Sequence, residues 1–581
     1  MATHEFTQGS SSAVSHQVYG ATAHTDNSGT NHGASTEEPE EKAVPVQGLQ
    51  RDLSARQVQM IAIAGTIGTG LFLGTGRSLA QGGPGSMLIC YSIIGFIVYV
   101  TLLLLGEMAT QYPVAGSFNA YATRFLSPSY GFALGWNYWF NDAVSVASDL
   151  TAAQLVVQYW AAEHTWIVSV VFWAFLVAVN SVNVRAYGEM EYWLSSLKVI
   201  TVVLFIIVGT FVNVGYNTEQ QFIGFANWRI DGAPFVGGFG GFARVFVTAS
   251  FAFGGTESLG ITAGETRNPS KNMPRVVKLV FWRIVTFYVL TVILIGLNVP
   301  WDYPKLSDRS TTTSPFTIVF TLAGSRTAAS FMNAVVLTSV LSAGNHALFA
   351  GTRVLYGLSV TVPPQAPKIF SLTTTAGIPL PALLLTSSIS ALCLTSSYIG
   401  SGALWGWLQN IVGVSNQIAW LSIGLSSWRF RKAWVAQGRS KEDLKFVASW
   451  TWPWGPAFVI VSVTALILIQ GWSSVIPRFS PLDFVSFYVE IPFMTFMTLV
   501  WLIVRRERSR RLQESDETEG LLPRRRSHSR AKGSFWDLVN TETVDLHGDQ
   551  YDEGSESGDE DETSPSKGIK AQLRRLYYWL V

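Results

Sequence analysis

Two glycine-interrupted apolar segments hold the groups best suited to chemistry inside a membrane. The first is GTIGTGLF (Gly65 to Phe72); the second is FAFGGTESLGITAGE (Phe251 to Glu265), where Gly254 and Gly255 sit at mid-depth before Thr256 and Glu257. Hydrocarbon offers no partner to a freed N–H or C=O, so a spanning helix should run unbroken unless the freed groups are used. A half-helix beginning near Gly68 presents unpaired N–H groups and the positive end of a dipole, which suits a carboxylate. Unwound carbonyls at Gly65–Thr66 and at Phe251–Phe253 carry negative partial charge, which suits an ammonium group. Gly65, Thr66, Ile67, Gly68 and Gly70 on one side, with Phe251, Phe253, Gly254 and Thr256 on the other, would therefore cradle a small zwitterion. The alternative is close helix packing through small residues. Against it, the glycines at 65, 68 and 70 lack four-residue spacing, and Thr256–Glu257 is costly in a packing seam.

Ionisable residues at membrane depth cost about 2.5–3.5 kcal/mol each on insertion scales, so each needs a partner or a function. Asp149 stands seven residues beyond Asp142, a separation that returns to nearly the same helix face. Asp149 is expected either to line a path or to meet a buried structural partner; Asp142 is expected nearer an aqueous end. Lys198, in SSLKVITVVLF, either exchanges a proton if desolvated or snorkels to the interface. Glu257 either takes part in proton coupling or braces the unwound segment. Ser342 and Asn345 offer a hydroxyl and an amide to a coupled cation or a side chain, and His346 beside them is expected to be hydrogen-bonded across helices. Glu107 and Glu265 lie at span ends, where Arg124 or Arg267 are the expected partners.

These residues need a scaffold that holds them in lipid. Hydrophobic residues make up 48% of the 581 and charged residues only 14%, against about 25% in soluble domains. A helix needs roughly 20 apolar residues to cross a bilayer. Twelve such stretches are legible: 58–79, 86–106, 131–158, 165–183, 192–213, 243–263, 279–299, 329–359, 380–400, 404–427, 453–472 and 484–504. The expected fold is an all-α membrane protein with both termini on one side. Basic residues cluster in the connections after the sixth and tenth stretches and beyond the twelfth, which places both tails in the cytoplasm. Three regions follow: a polar N-tail over 1–50, a membrane domain over 51–504 and a C-tail over 505–581. The N-tail lacks the apolar core of a cleavable signal, so the first spanning helix is expected to direct insertion.

The formal net charge of +1 excludes a strongly basic nucleic-acid binder. Two cysteines give neither metal-ligand spacing nor a disulfide framework, and no hydrolase or metalloprotease constellation stands in the spans. No enzyme activity, metal or organic cofactor is expected. The basic block after the twelfth stretch either meets anionic lipid headgroups or only sets topology. Lys42, the sole lysine of the N-tail, is either a ubiquitin acceptor, with ubiquitin-ligase adaptors as partners, or an ordinary solvated lysine. The stretch Phe535–Leu546 has apolar residues suited to docking beneath the membrane domain.

Paired breaks in matching places point to a transporter site between repeats. The ordered set GTIGTGLF, GEMATQYPVAGSFNAYATRFLSPSYGFALGWNYW, FGGTESLGITAGETRNPSKNMPRVVK, LSAGNHALFAGTRVLYGLS and IPLPALLLTS resembles the fungal amino-acid permeases of the amino acid–polyamine–organocation superfamily over about residues 50–510. The resemblance implies twelve transmembrane helices, a LeuT-like core of 5+5 inverted repeats plus two C-terminal helices. It further implies proton-coupled uptake of amino acids across the plasma membrane by alternating access. Similar proteins carry an acid, usually Glu, where Asp149 stands, and certain proton-coupled members carry a lysine on the fifth helix, as Lys198 does by position. Two acids on the third span hint at cationic substrates, although broad-range carriers share an acid there. The rival function is an amino-acid sensor with little or no transport.

Overall fold

The computed structural model describes residue 60 and residues 63–114, 116–161, 166–182, 184–263, 266, 269–304, 306, 313–361, 363–518 and 537–548. Lys42 and the rest of the N-tail, together with Glu265 and Arg267, lie outside the described residues. Every apolar stretch anticipated from the sequence is largely helical in its described part, the first and sixth being interrupted at Ile67–Gly68 and Phe253–Glu257. The main elements are α1 (Thr75–Gln111), α2 (Pro128–Val157), α3 (Trp166–Asn180), α4 (Val184–Asn213), α5 (Gly238–Ala252) and α6 (Pro269–Asn298). They continue with α7 (Arg326–Val360), α8 (Leu380–Ile399), α9 (Ser401–Ala436), α10 (Trp454–Val475) and α11 (Glu490–Thr518).

Among the described residues, six helices are long and apolar enough to cross a membrane, and Pro481–Tyr488 with the start of α11 makes a further, bent candidate at 48°. One of the six, Ile63–Gln111, runs through two of the anticipated stretches. Gly83 divides it: φ 78° and ψ 172° are open to glycine, and Pro84 next to it supplies no N–H. The helices α2 and α9 fall short on hydropathy for a structural reason. They bury Asn137, Asn141, Asp142, Asp149 and Gln154, and Gln409, Asn410, Asn416 and Gln417, because they stand in the middle of the bundle. There α2 packs on α7 and α9, while α5 packs on α1 and α9.

The outer helices show the opposite pattern. On α4, Trp193, Ile200, Leu204, Ile207 and Phe211 face outward, Trp193 with 70% of its surface open. Its inward face carries Glu191, Ser195, Lys198, Val202 and Phe205, all buried. A helix apolar outside and ionisable inside suits a lipid surround, not water.

Candidate functional site

The first break begins where the helical turn Ile63–Thr66 gives way at Ile67 and Gly68. Gly70–Gly74 then forms a widened turn leading into α1. The second break follows α5: Phe253–Glu257 is a turn with Gly255 at φ 81°, and a short helix resumes at Ser258. The two breaks touch through their backbones. A β-carbon on Gly70 would stand 2.3 Å from the Ala252 Cα, and one on Gly255 would stand 2.7 Å from the Gly65 carbonyl oxygen. Close packing and unwinding therefore coexist: the glycines let one broken segment lie against the other. The Tyr288 hydroxyl fastens the joint by donating to the Thr66 carbonyl and, at 2.8 Å, to that of Ala252.

Between the breaks lies a cavity of about 70 Å³. Of the residues anticipated for substrate contact, Gly65, Thr66, Gly68, Gly70, Asp149, Phe251 and Gly254 line it. Ile67, Phe253 and Thr256 do not. Phe253 is buried and its ring stacks on Tyr288 at 4.0 Å, while the Thr256 hydroxyl bonds back to the Phe253 carbonyl and to Glu257. Unwinding rotates these side chains away from the phase that helical periodicity assigns. Thr69, Asn141, Ser145, Ser258, His346 and Asn416 line the cavity without having been singled out as substrate contacts.

Asp142 also lines the cavity and is buried, contrary to the expectation of an aqueous end. Its Oδ2, like Oδ1 of Asn141, has no hydrogen-bond partner among the described residues. Asp149 is better satisfied, since the Thr69 hydroxyl donates to its Oδ1 at 2.5 Å. Small residues of α7 admit both acids: β-carbons on Gly344 and Gly351 would stand 3.3 Å and 2.8 Å from the Cβ atoms of Asp149 and Asp142. His346 is held across helices, by Ser258 at 2.8 Å and Tyr187 at 3.4 Å.

Glu257 is fully buried behind the second break, outside the cavity lining. Its carboxylate accepts from Tyr138 at 2.7 Å, Trp420 and Thr256 at 3.1 Å each, and the Gly255 amide at 3.3 Å. That geometry braces the turn. Lys198 is fully buried as well, and its ammonium donates to the Ala64 carbonyl at 3.1 Å, so it does not snorkel. Ser342 and Asn345 also point away from the cavity. Each donates at 2.6 Å to Glu191, which lies seven residues before Lys198 on the inward face of α4. Glu191 and Asp149 are the acids acting electrostatically on Lys198. Sequence reasoning passed over Glu191, although the interval that paired Asp142 with Asp149 pairs it with Lys198.

At the basic end of the bundle, Glu107 pairs with Arg431, while Arg124 reaches Asp545 and Gly548; the expected partner Arg267 lies outside the described residues. Glu107 and Arg431 are both buried, and the Ala448 amide donates to the same Glu107 carboxylate at 3.0 Å.

A helical bundle with an apolar outer face, two broken helices in contact and a small cavity lined by buried acids defines a membrane transporter. The chain belongs to the amino acid permease family, whose sequence profile matches residues 57–513. It is 42% identical over 488 residues to a probable amino-acid permease of Schizosaccharomyces pombe, covering 81% of this chain and 95% of that one. With the lysine-specific permease LysP of Escherichia coli it shares 44% over 439 residues, 75% of this chain and 89% of the relative. With the basic amino-acid permease of Saccharomyces cerevisiae it shares 39% over 469 residues, 78% and 80% of the two chains. Such proteins are permeases, not enzymes.

Proposed function

We propose that this protein imports amino acids, with cationic ones among its substrates, together with protons by alternating access at the plasma membrane. One observation carries the reading: Asp142 and Asp149 converge on the cavity between the broken segments, where an Asp142 oxygen has no partner among the described residues. An α-amino acid presents a carboxylate to the first break and an ammonium group to the carbonyls and acids. A second cationic group on its side chain meets the acid left over. The names of the lysine-specific and basic permeases among the relatives agree with this range; a general permease among them marks its broader limit.

The helices are read as twelve spans, with the first ten forming two inverted repeats of five and both tails in the cytoplasm. The proton is the coupling ion, and the reading needs neither metal nor organic cofactor. Asp149, Lys198 and Glu191 share that proton. When it leaves Lys198, the hold on the Ala64 carbonyl slackens and the first broken segment is free to move from α4. Ser342 and Asn345 serve by positioning Glu191, and Glu257 by bracing the second break.

Uptake of radiolabelled lysine into sealed vesicles under an imposed pH gradient, competed by a panel of common amino acids, tests the reading. Accumulation above equilibrium that collapses with the gradient is expected. Binding without accumulation would instead indicate a sensor.

A further inference from the structure

We infer that residues 537–548 form a removable clamp on the cytoplasmic face, seated in a peptide-docking groove, and that the clamp slows transport by holding this face closed. The inference rests on the carrier reading above and extends it to regulation.

The segment crosses the ends of several elements. Its Val539 amide donates to the Leu126 carbonyl at 2.9 Å, between α1 and α2. From the end of α9, Arg429 donates to the carbonyls of Val539 and, at 2.6 Å, Phe125, so one guanidinium ties the segment, the helical turn Ala122–Leu126 and α9 together. Gln437 reaches the Val544 carbonyl at 2.8 Å, and Arg439 stands 2.8 Å from His547. Arg124 donates to the carbonyls of Asp545 and Gly548, each at 2.7 Å, and Tyr112 donates to that of Leu546 at 3.0 Å. Arg505 of α11 pairs with Asp537. The Leu546 side chain is fully buried.

Most of these contacts read peptide carbonyls, so the face holds the backbone of the segment more than its side chains. The segment is also preshaped. Asn540 accepts from the Glu542 amide at 3.0 Å, and Asp545 accepts from the amides of His547 and Gly548 at 2.8 Å and 3.1 Å. The helical turn Ala122–Leu126, α9 and α11 come together on this side, and any inward opening that parts them has to break the contacts of the segment. A strap bonded to all three opposes that motion, beside the buried Glu107–Arg431 pair that already joins α1 to α9. Its hold is reversible: water competes for the solvent-facing arginine contacts, and one leucine is the only fully buried apolar side chain it contributes.

The test uses the full chain in sealed vesicles. Cysteines introduced as R439C and H547C are joined by a bis-methanethiosulfonate reagent and parted by reductant, with the unsubstituted chain as the reagent control. Linkage is expected to lower uptake about fivefold or more, the scale of an allosteric coupling, and reductant to restore it. Unchanged uptake in the linked chain overturns the clamp. Replacing 537–548 by a Gly/Ser stretch of equal length is expected to raise uptake per surface copy; an equal or lower rate also overturns it. If no chain accumulates label, linked or free, the carrier reading fails and the clamp with it. Accumulation that ignores linkage removes the clamp alone.

Discussion

At the residue scale, the two acids of α2 differ in what already satisfies them. Thr69 donates to Asp149, whereas an oxygen of Asp142 faces the cavity without a partner among the described residues. Hydrogen bonds to charged groups contribute about 1.5–3 kcal/mol, so Asp142→Asn should lower uptake of lysine roughly ten- to a hundredfold. Neutral amino acids, lacking the second cation, should lose less, and a competition panel on the variant reads the difference. Glu191→Gln keeps an oxygen for Ser342 or Asn345 and removes the charge facing Lys198. Uptake by that variant should lose its stimulation by external acid while substrate still binds; an unchanged pH profile would take Glu191 out of the coupling. Asp149 was legible because a charge in a span demands a use. Glu191 was not, because its partners on α7 lie more than a hundred residues away and only its interval to Lys198 hinted at it.

At the element scale, helices were legible wherever lipid imposes an apolar run, and both breaks were legible from their glycines. The orientation of the unwound turns was not, since periodicity ends where the helix does; Phe253 and Thr256 accordingly face away from the cavity. Hydropathy also understates α2 and α9, whose polar residues answer one another across the bundle. The contact between breaks yields a prediction about backbone. Gly255→Ala places a β-carbon against the Gly65 carbonyl at a positive φ. Strain of this kind amounts to about 1–3 kcal/mol, so the variant should melt at lower temperature in detergent and lose uptake. Gly68→Val, whose β-carbon meets the Ala343 methyl 2.9 Å away, should abolish uptake while leaving surface abundance intact. Retained transport would make the first break a packing device alone.

At the scale of the whole molecule, the docked segment and the proton-driven uptake the carrier is read to perform should respond differently to acid. The amides of His547 and Gly548 hold the Asp545 carboxyl below its ordinary value of 3.8, with Arg124 adding to the effect. Both amides belong to the segment itself, so most of the lowering comes with its turn; the smaller Arg124 share comes with docking and is lost only as pH falls through the docked value. Asp545 therefore stays ionised throughout the neutral and mildly acidic range, keeping the turn formed and facing Arg124, and gives the clamp no response to the acid that drives uptake. Hydrogen exchange of the 537–548 amides should stay slow and constant from pH 7 down to about pH 5, once corrected for intrinsic rates, because Asp545 is held below its ordinary value and stays ionised over that range. Asp545→Ala removes the acceptor for two amides, so exchange at His547 and Gly548 should quicken at neutral pH and uptake should rise with it. Release between pH 7 and 5 in the unsubstituted chain would take control away from Asp545. Slow exchange in Asp545→Ala would show that the arginine contacts to the backbone hold the strap without its preformed turn.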